Sequence, residues 1–307
     1  MNEAGAYPQL SFRRKPESSK IISARFLLSR NDNQRKILAD SSSTDPRNKP
    51  IGVFDSGVGG ISVLKHIHAL LPNEDLLYVA DSANAPYGNK TPEFIRERAF
   101  ALSDFLIEQG AKALVVACNT ATAAAISAMR ERYDIPIIGM EPAVKPAAAA
   151  TKTGVIGVLA TVGTLKSAQF AALLENYGQG MTVVTEGCPG LVECIERGEL
   201  GTQETRKLLE GYIKPLLDAG ADTIVLGCTH YPFVKPLIQE IAGSEVTLID
   251  TGAAVAKQLQ ARLIDKELLA GKKQAESVTF WTNSQAGQAE KIVLQLWGQQ
   301  ADINIVA

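Results

Sequence analysis

The sequence predicts an α/β protein of two similar lobes, each a largely parallel sheet flanked by helices, with a site in the cleft between them. Three observations carry that prediction. Short β-branched runs alternate with helical stretches from residue 50 onward, glycine-rich or polar turns separate them, and the whole order recurs about 110 residues later. Alternating strand and helix marks a parallel sheet, because a parallel pair needs a crossover long enough to hold a helix.

The first lobe's strands are "KPIGVFDS", "DLLYVADS", "ALVVACNT" and "IPIIGME", separated by stretches such as "TPEFIRERAFALSDFLIEQG" with apolar residues at three- and four-residue spacing. The second lobe repeats the order as "TGVIGVLAT", "MTVVTEG", "DTIVLGCT" and "VTLIDTGA". "IGVFDSGVGG" from Ile51 matches "IGVLATVGT" from Ile156 at an offset of 105, "GAKALVVACNTA" matches "GADTIVLGCTHY" at 110, and "IIGMEPAV" from Ile137 matches "LIDTGAAV" from Leu248 at 111. Three matches in one order at nearly one offset read as an internal duplication, against the alternative that any two valine-rich strands look alike. Ligands of such sheets bind at the carboxyl ends of the strands.

At 307 residues and 46% hydrophobic, the chain has material for about two domains. Its net charge of −2 argues against nucleic-acid or membrane-surface partners. Residues 1–49 carry ten Lys/Arg against five Asp/Glu, and the remainder 21 against 28. That basic head has no apolar periodicity and reads as a disordered extension. Its "SFRRKPE" has twin arginines, but no apolar segment of signal-peptide length follows, and no 18-residue apolar stretch occurs anywhere. The expected location is the cytoplasm.

Cysteines stand at 118, 188, 194 and 228 with no C-x-x-C pair, and with three histidines there is no zinc spacing. Cys188 and Cys194 read as buried structural residues. Cys118 and Cys228 end matching strands, one per lobe, each followed by polar residues (Asn119-Thr120 and Thr229-His230) and a predicted helix whose amino terminus favours thiolate. Two thiols facing one cleft are what inversion at a carbon bearing one acidic hydrogen requires. One group removes the proton from one face while the other delivers a proton to the opposite face, and a thiol with a pKa of about 8.5, lowered somewhat by its surroundings, serves as either near neutrality.

Three ionisable residues stand near the thiols in the pattern. Asp55 ends the first strand, placed to accept from or orient the Cys118 thiol; His230 lies two residues after Cys228; Glu196 sits on the helix of "GCPGLVECIERGEL". Taken singly, each has an ordinary reading: a helix cap, a satisfied polar histidine, a solvated glutamate. Their placement beside matched cysteines favours a site. "DSGVGGIS" lacks the P-loop lysine, and Ser62 replaces the third glycine of a dinucleotide turn. It suits a small zwitterion, its backbone N–H groups and Ser56 meeting a carboxylate and Asp55 an ammonium.

"FDSGVGG" at 54–60, "APYG" at 85–88, "ACNTA" at 117–121 and "GCTHYP" at 227–232 together resemble the bacterial glutamate racemases, from about residue 50 to about 265. The resemblance implies cofactor-independent interconversion of L- and D-glutamate for peptidoglycan synthesis. Cys118 would take the proton from D-glutamate and Cys228 from L-glutamate, supported by Asp55, Glu196 and His230. Asp55-Ser56, Tyr87-Gly88, Asn119-Thr120 and Thr229-His230 would bind substrate, with Thr161, which matches Ser56 in the repeat, as a further contact. It also implies lobes of residues 50–142 plus 252–307 and of 143–251, a homodimer, and, in some relatives with amino-terminal extensions, activation by UDP-N-acetylmuramoyl-L-alanine. No motif in the head decides that last point. Two rival readings remain: another two-cysteine racemase such as one for aspartate, and a non-catalytic two-lobed amino-acid-binding protein, for which strand-end cysteines serve no purpose.

Overall fold

The computed structural model describes residues 45–271, 277–284 and 286–306. The first 44 residues of the predicted extension lie outside these. Its last five, expected to be disordered, form a tight 3-10 turn over Pro46–Asn48, with the Asp45 carboxylate accepting from the Arg47 N–H at 2.9 Å. The turn is fixed to the body because Lys112, paired with Glu74 at 2.5 Å in a buried ion pair, donates to the Arg47 carbonyl at 2.6 Å.

The first half runs β1 (Ile51–Asp55), α1 (Ile61–Leu70), β2 (Leu76–Ala80), α2 (Pro92–Glu108), β3 (Ala113–Val116), α3 (Asn119–Arg132) and β4 (Ile137–Ile138). Strands β1, β2 and β3 are buried at every residue, which is why they read as unbroken apolar runs and not as alternating ones. The predicted helix over 91–110 is α2. Thr91 caps it by accepting from the Phe94 N–H at 3.3 Å, Pro92 opens it, and Gly110, at φ 90°, turns the chain away in the left-handed region.

The second half repeats the plan as α4 (Val144–Ala150), β5 (Val155–Ala160), α5 (Val162–Leu165), α6 (Ala168–Tyr177), β6 (Thr182–Gly187), α7 (Leu191–Glu196), α8 (Gln203–Asp218), β7 (Thr223–Leu226), α9 (Lys235–Ala242) and β8 (Thr247–Ile249). The chain ends with α10 (Gly252–Asp265), β9 (Val278–Thr282), α11 (Ala286–Trp297) and β10 (Asp302–Ile305). All strand pairs are parallel. One sheet has the order β10-β9-β2-β1-β3-β4 and the other β6-β5-β7-β8. The run β2-β1-β3-β4 and the second sheet share one topology, which is the duplication seen in space.

Each sheet buries both faces. In the first, Ile61, Leu64 and Ile67 of α1 pack with Leu259 and Leu263 of α10 and Leu296 of α11 on one side, while Leu102 and Leu106 of α2 and Ala125 of α3 cover the other. In the second, Ile195, Leu209, Ile213 and Ile238 form one layer, and Val144, Ala147, Phe170 and Leu173 the other. With both sheets covered, the carboxyl ends of the strands are left to form a site. Among the described residues no helix is long and apolar enough to cross a membrane.

Candidate active site

The glycine turn after β1 is shaped by the opposite lobe. A Cβ at Gly57 would lie inside the Glu196 carboxylate and one at Gly59 inside the His230 ring, so only glycine admits these two side chains. Glu196, the last residue of α7, accepts from the Val58 N–H at 2.7 Å and from Ser82 Oγ at 3.2 Å. The Tyr78 hydroxyl donates to the Gly57 carbonyl at 2.7 Å. Ser62 Oγ also crosses the gap, donating to the Thr229 carbonyl at 2.8 Å.

Behind this turn Asp55 is fully buried. Its Oδ2 accepts from the Gly60 N–H at 2.7 Å and from Thr229 Oγ1 at 3.4 Å, and its Oδ1 from Ser56 Oγ at 3.4 Å. Cys118 lies 3.7 Å from Ser56 Oγ, so the thiol meets Asp55 through the serine and not directly as expected. The N–H groups of Val58 and Gly60 are likewise taken by Glu196 and Asp55. The turn therefore offers a ligand fewer donors than the sequence alone indicates.

Cys118 stands two residues past β3 and caps α3, its sulfur accepting from the Ala121 N–H at 3.4 Å. Cys228 stands two residues past β7, but no α-helix starts there. Pro232 sits in a 3-10 turn over Tyr231–Val234, and α9 begins only at Lys235. The expected helix amino terminus at Cys228 is replaced by a histidine: its Sγ is 3.6 Å from His230 Nδ1, whose Nε2 is 2.6 Å from Glu196 Oε1. Each sulfur thus begins a short polar chain ending in a carboxylate, Cys118–Ser56–Asp55 in one lobe and Cys228–His230–Glu196 in the other.

The electrostatics correct the expectation of a Cys118 thiol eased toward thiolate. Burial pushes this thiol well above its ordinary value, and the charge of Asp55 adds to the rise. The Ala121 N–H and Ser56 oppose it without prevailing. Burial also lifts Asp55 to about 6, against the opposing charge of His230 and the Gly60 hydrogen bond. His230 moves the other way from the usual buried imidazole. Burial disfavours its charge, yet the Cys228 sulfur and the Glu196 carboxylate together raise it well above 6.5.

One small cleft is lined by both thiols. From the first lobe it is lined by Ser56, Tyr87, Gly88, Cys118, Asn119 and Thr120, and from the second by Thr161, Cys228, Thr229 and His230. Asp55 and Glu196 do not line it; they stand behind the residues that do. Among the described residues, neither end of the buried Asn119 amide finds a hydrogen-bond partner, so an unsatisfied donor and acceptor lie on the cleft wall. Thr120 and Thr161 close one side, their hydroxyls 2.9 Å apart across the lobes.

The cleft also includes Pro86, Val192 and Gly227, which the sequence reading did not single out. Pro86 and Gly227 lie inside the quoted "APYG" and "GCTHYP", whereas Val192 carries no signal beyond apolarity. At Gly227 a Cβ would stand 3.0 Å from the Leu159 carbonyl, which accounts for the glycine before the thiol.

These features define a class: a two-lobed parallel α/β fold with one cysteine from each lobe facing a shared small cleft. The chain belongs to the Asp/Glu/Hydantoin racemase family, whose profile matches residues 51–259. Within that family its relatives are glutamate racemases. That of Ectopseudomonas mendocina is 58% identical over 257 residues, covering 83% of this chain and 97% of the relative, and that of Pseudomonas aeruginosa strain PAO1 is 58% identical over 254, covering 82% and 96%. Solved structures agree. The glutamate racemase of Bacillus anthracis matches with a TM-score of 0.77 at 34% identity over 85% of this chain and 98% of its own. That of Escherichia coli, in complex with L-glutamate and the activator UDP-MurNAc-ala, matches with 0.75 at 33% over 84% and 98%.

Proposed function

We propose that this chain racemises glutamate by two-thiol acid/base exchange, supplying D-glutamate for peptidoglycan synthesis. The observation that carries the reading is the placement of Cys118 and Cys228 at equivalent strand ends on opposite walls of one cleft. Glutamate lies between them with its α-carbon facing both sulfurs. Cys228 removes the proton from the L-enantiomer while Cys118 returns one to the opposite face, and the roles exchange for the D-enantiomer. The high proton affinity of the buried Cys118 suits it to be the donor in the first direction. In the second, Ser56 and Asp55 form the path along which its proton leaves before it acts as base.

For Cys228 the proton leaves to His230 Nδ1, and the resulting imidazolium, held by Glu196 at Nε2, stands beside the thiolate that acts as base. The orphaned amide of Asn119 and the hydroxyls of Ser56, Thr120, Thr161 and Thr229 supply the donors and acceptors that a zwitterionic amino acid needs. The Tyr87 hydroxyl donates to Asp81, so the Tyr87-Gly88 pair contributes mainly its backbone. We read the enzyme as a cytoplasmic homodimer. UDP-N-acetylmuramoyl-L-alanine is a candidate activator because the E. coli relative binds it as one.

Circular dichroism of each enantiomer of glutamate and aspartate incubated with purified protein tests the reading. Both glutamate enantiomers should decay to a racemate and aspartate should not. Cys118→Ser and Cys228→Ser should each lower kcat about a hundredfold or more with the far-ultraviolet spectrum unchanged. Retention of optical rotation by glutamate, or near-normal turnover in either variant, would refute it.

A further inference from the structure

The loop that brings Tyr87 and Gly88 to the cleft is anchored on one buried carboxylate. Asp81, just past the end of β2, accepts from the Tyr87 hydroxyl, from Arg98 Nε at 2.9 Å and Nη2 at 2.7 Å on α2, and from Asn84 Nδ2 at 2.9 Å. A further partner arrives from the far end of the chain. Asn283, just past β9, donates its Nδ2 to Asp81 Oδ1, and its own Oδ1 accepts from the Ala83 N–H at 2.9 Å. The register explains the meeting, since Ala80 of β2 lies opposite Thr282 of β9. Both strands therefore end at the same level of the sheet.

The position of this loop is tightly set where it meets the other lobe. A Cβ at Gly88 would stand 2.9 Å from Thr161 Cβ, and one at Gly163 would stand 2.9 Å from the Gly88 carbonyl. A small shift of residues 82–89 thus changes the width of the cleft on the side where Tyr87, Gly88 and Thr161 line it. The Tyr87 and Asn283 holds converge on Asp81, and Asn283 adds the one to the Ala83 backbone.

We propose that Asn283 is a positioning residue for glutamate binding: without lining the cleft, it fixes the Tyr87-Gly88 wall through Asp81 and the Ala83 N–H. This rests on the racemase reading for its substrate and on the hydrogen bonds alone for the anchoring. Asn283→Leu keeps the volume and removes both donor and acceptor. It should raise KM for both glutamate enantiomers about fivefold to tenfold, with kcat changed less than about twofold, as for lost ground-state binding. Tyr87→Phe releases the same carboxylate from another side, so the double variant should show less than the product of the two single effects.

Hydrogen–deuterium exchange reads the anchor without catalysis. Amides 82–89 should exchange faster in Asn283→Leu, while those of β3 and β7 keep wild-type rates. If the wild-type chain fails to racemise glutamate, the activity reading falls, and the exchange result still decides the anchoring. Wild-type KM together with wild-type exchange in Asn283→Leu would overturn the proposal. So would faster exchange throughout the chain with kcat reduced and KM unchanged, which would make Asn283 a residue of general stability.

Discussion

At the residue scale, Cys118 shows how two local effects compete. It caps a helix with its sulfur, a placement that favours thiolate, and yet burial and the nearby charge of Asp55 leave its thiol more proton-binding than in water. Asp55 itself is raised by burial from 3.8 to about 6, which gives a stability signature of definite sign. A carboxyl raised on folding favours the folded state while protonated. Its contribution is fully present below about pH 4 and is lost as the pH climbs through about 6. Relative to Asp55→Asn, which does not titrate there, the wild-type unfolding free energy should fall by about 2 kcal/mol between pH 4 and 7. Denaturant titrations of the two proteins across that range check this; a difference constant with pH would mean that Asp55 titrates normally. In racemisation, the D-to-L direction should carry an acid limb near pH 6 that Asp55→Asn lacks.

At the scale of elements, the glycine turn between β1 and α1 is the piece on which both lobes converge. Gly59→Ala drives a methyl group into the His230 ring, so His230 must leave Cys228 or the turn must move. We expect at least about a hundredfold loss of kcat and about 1–3 kcal/mol of destabilisation, the range for overpacking. Gly211→Ala, in α8 with open space at its Cβ, is the control: stability should rise by about 0.5–1 kcal/mol with activity unchanged. Equal behaviour of the two variants in thermal melts and assays would show that the turn does not seat His230. The strands β1 to β3, β5 and β7 were legible because doubly buried parallel strands leave continuous apolar runs, whereas the edge strand β6, with no buried residue, shows only its β-branched residues. The pairing of β2 with β9 was not legible, because it joins residues about 200 positions apart with no local pattern linking them. For the same reason the Asp81–Asn283 contact is invisible in sequence, whereas "ACNTA" and "GCTHYP" each hold a thiol and its polar followers within a few residues.

At the scale of the whole molecule, one lobe presents Cys118 and the other Cys228, and the site exists only where the duplicated strand ends face each other. The chemistry of the paired cysteines could be read from the repeat; the inequality of their surroundings could not, because it depends on a 3-10 turn and on side chains that cross between lobes. The amino-terminal segment divides into two parts that truncation separates. Removing residues 1–49 should cost about 1 kcal/mol more than removing residues 1–44, because Lys112 loses the Arg47 carbonyl in the first case and keeps it in the second. Equal unfolding free energies for the two truncations would show that this contact adds nothing. The central claim, a separate thiol for each face of the substrate, is tested most directly by racemisation in D₂O with mass spectrometry of the product at low conversion. If Cys118 and Cys228 each exchange with solvent and serve one face, D-glutamate formed from L-glutamate, and L-glutamate formed from D-glutamate, should carry deuterium at the α-carbon from the first turnovers. Substantial unlabelled product from either enantiomer would mean that one group carries the proton from face to face, and would contradict the account.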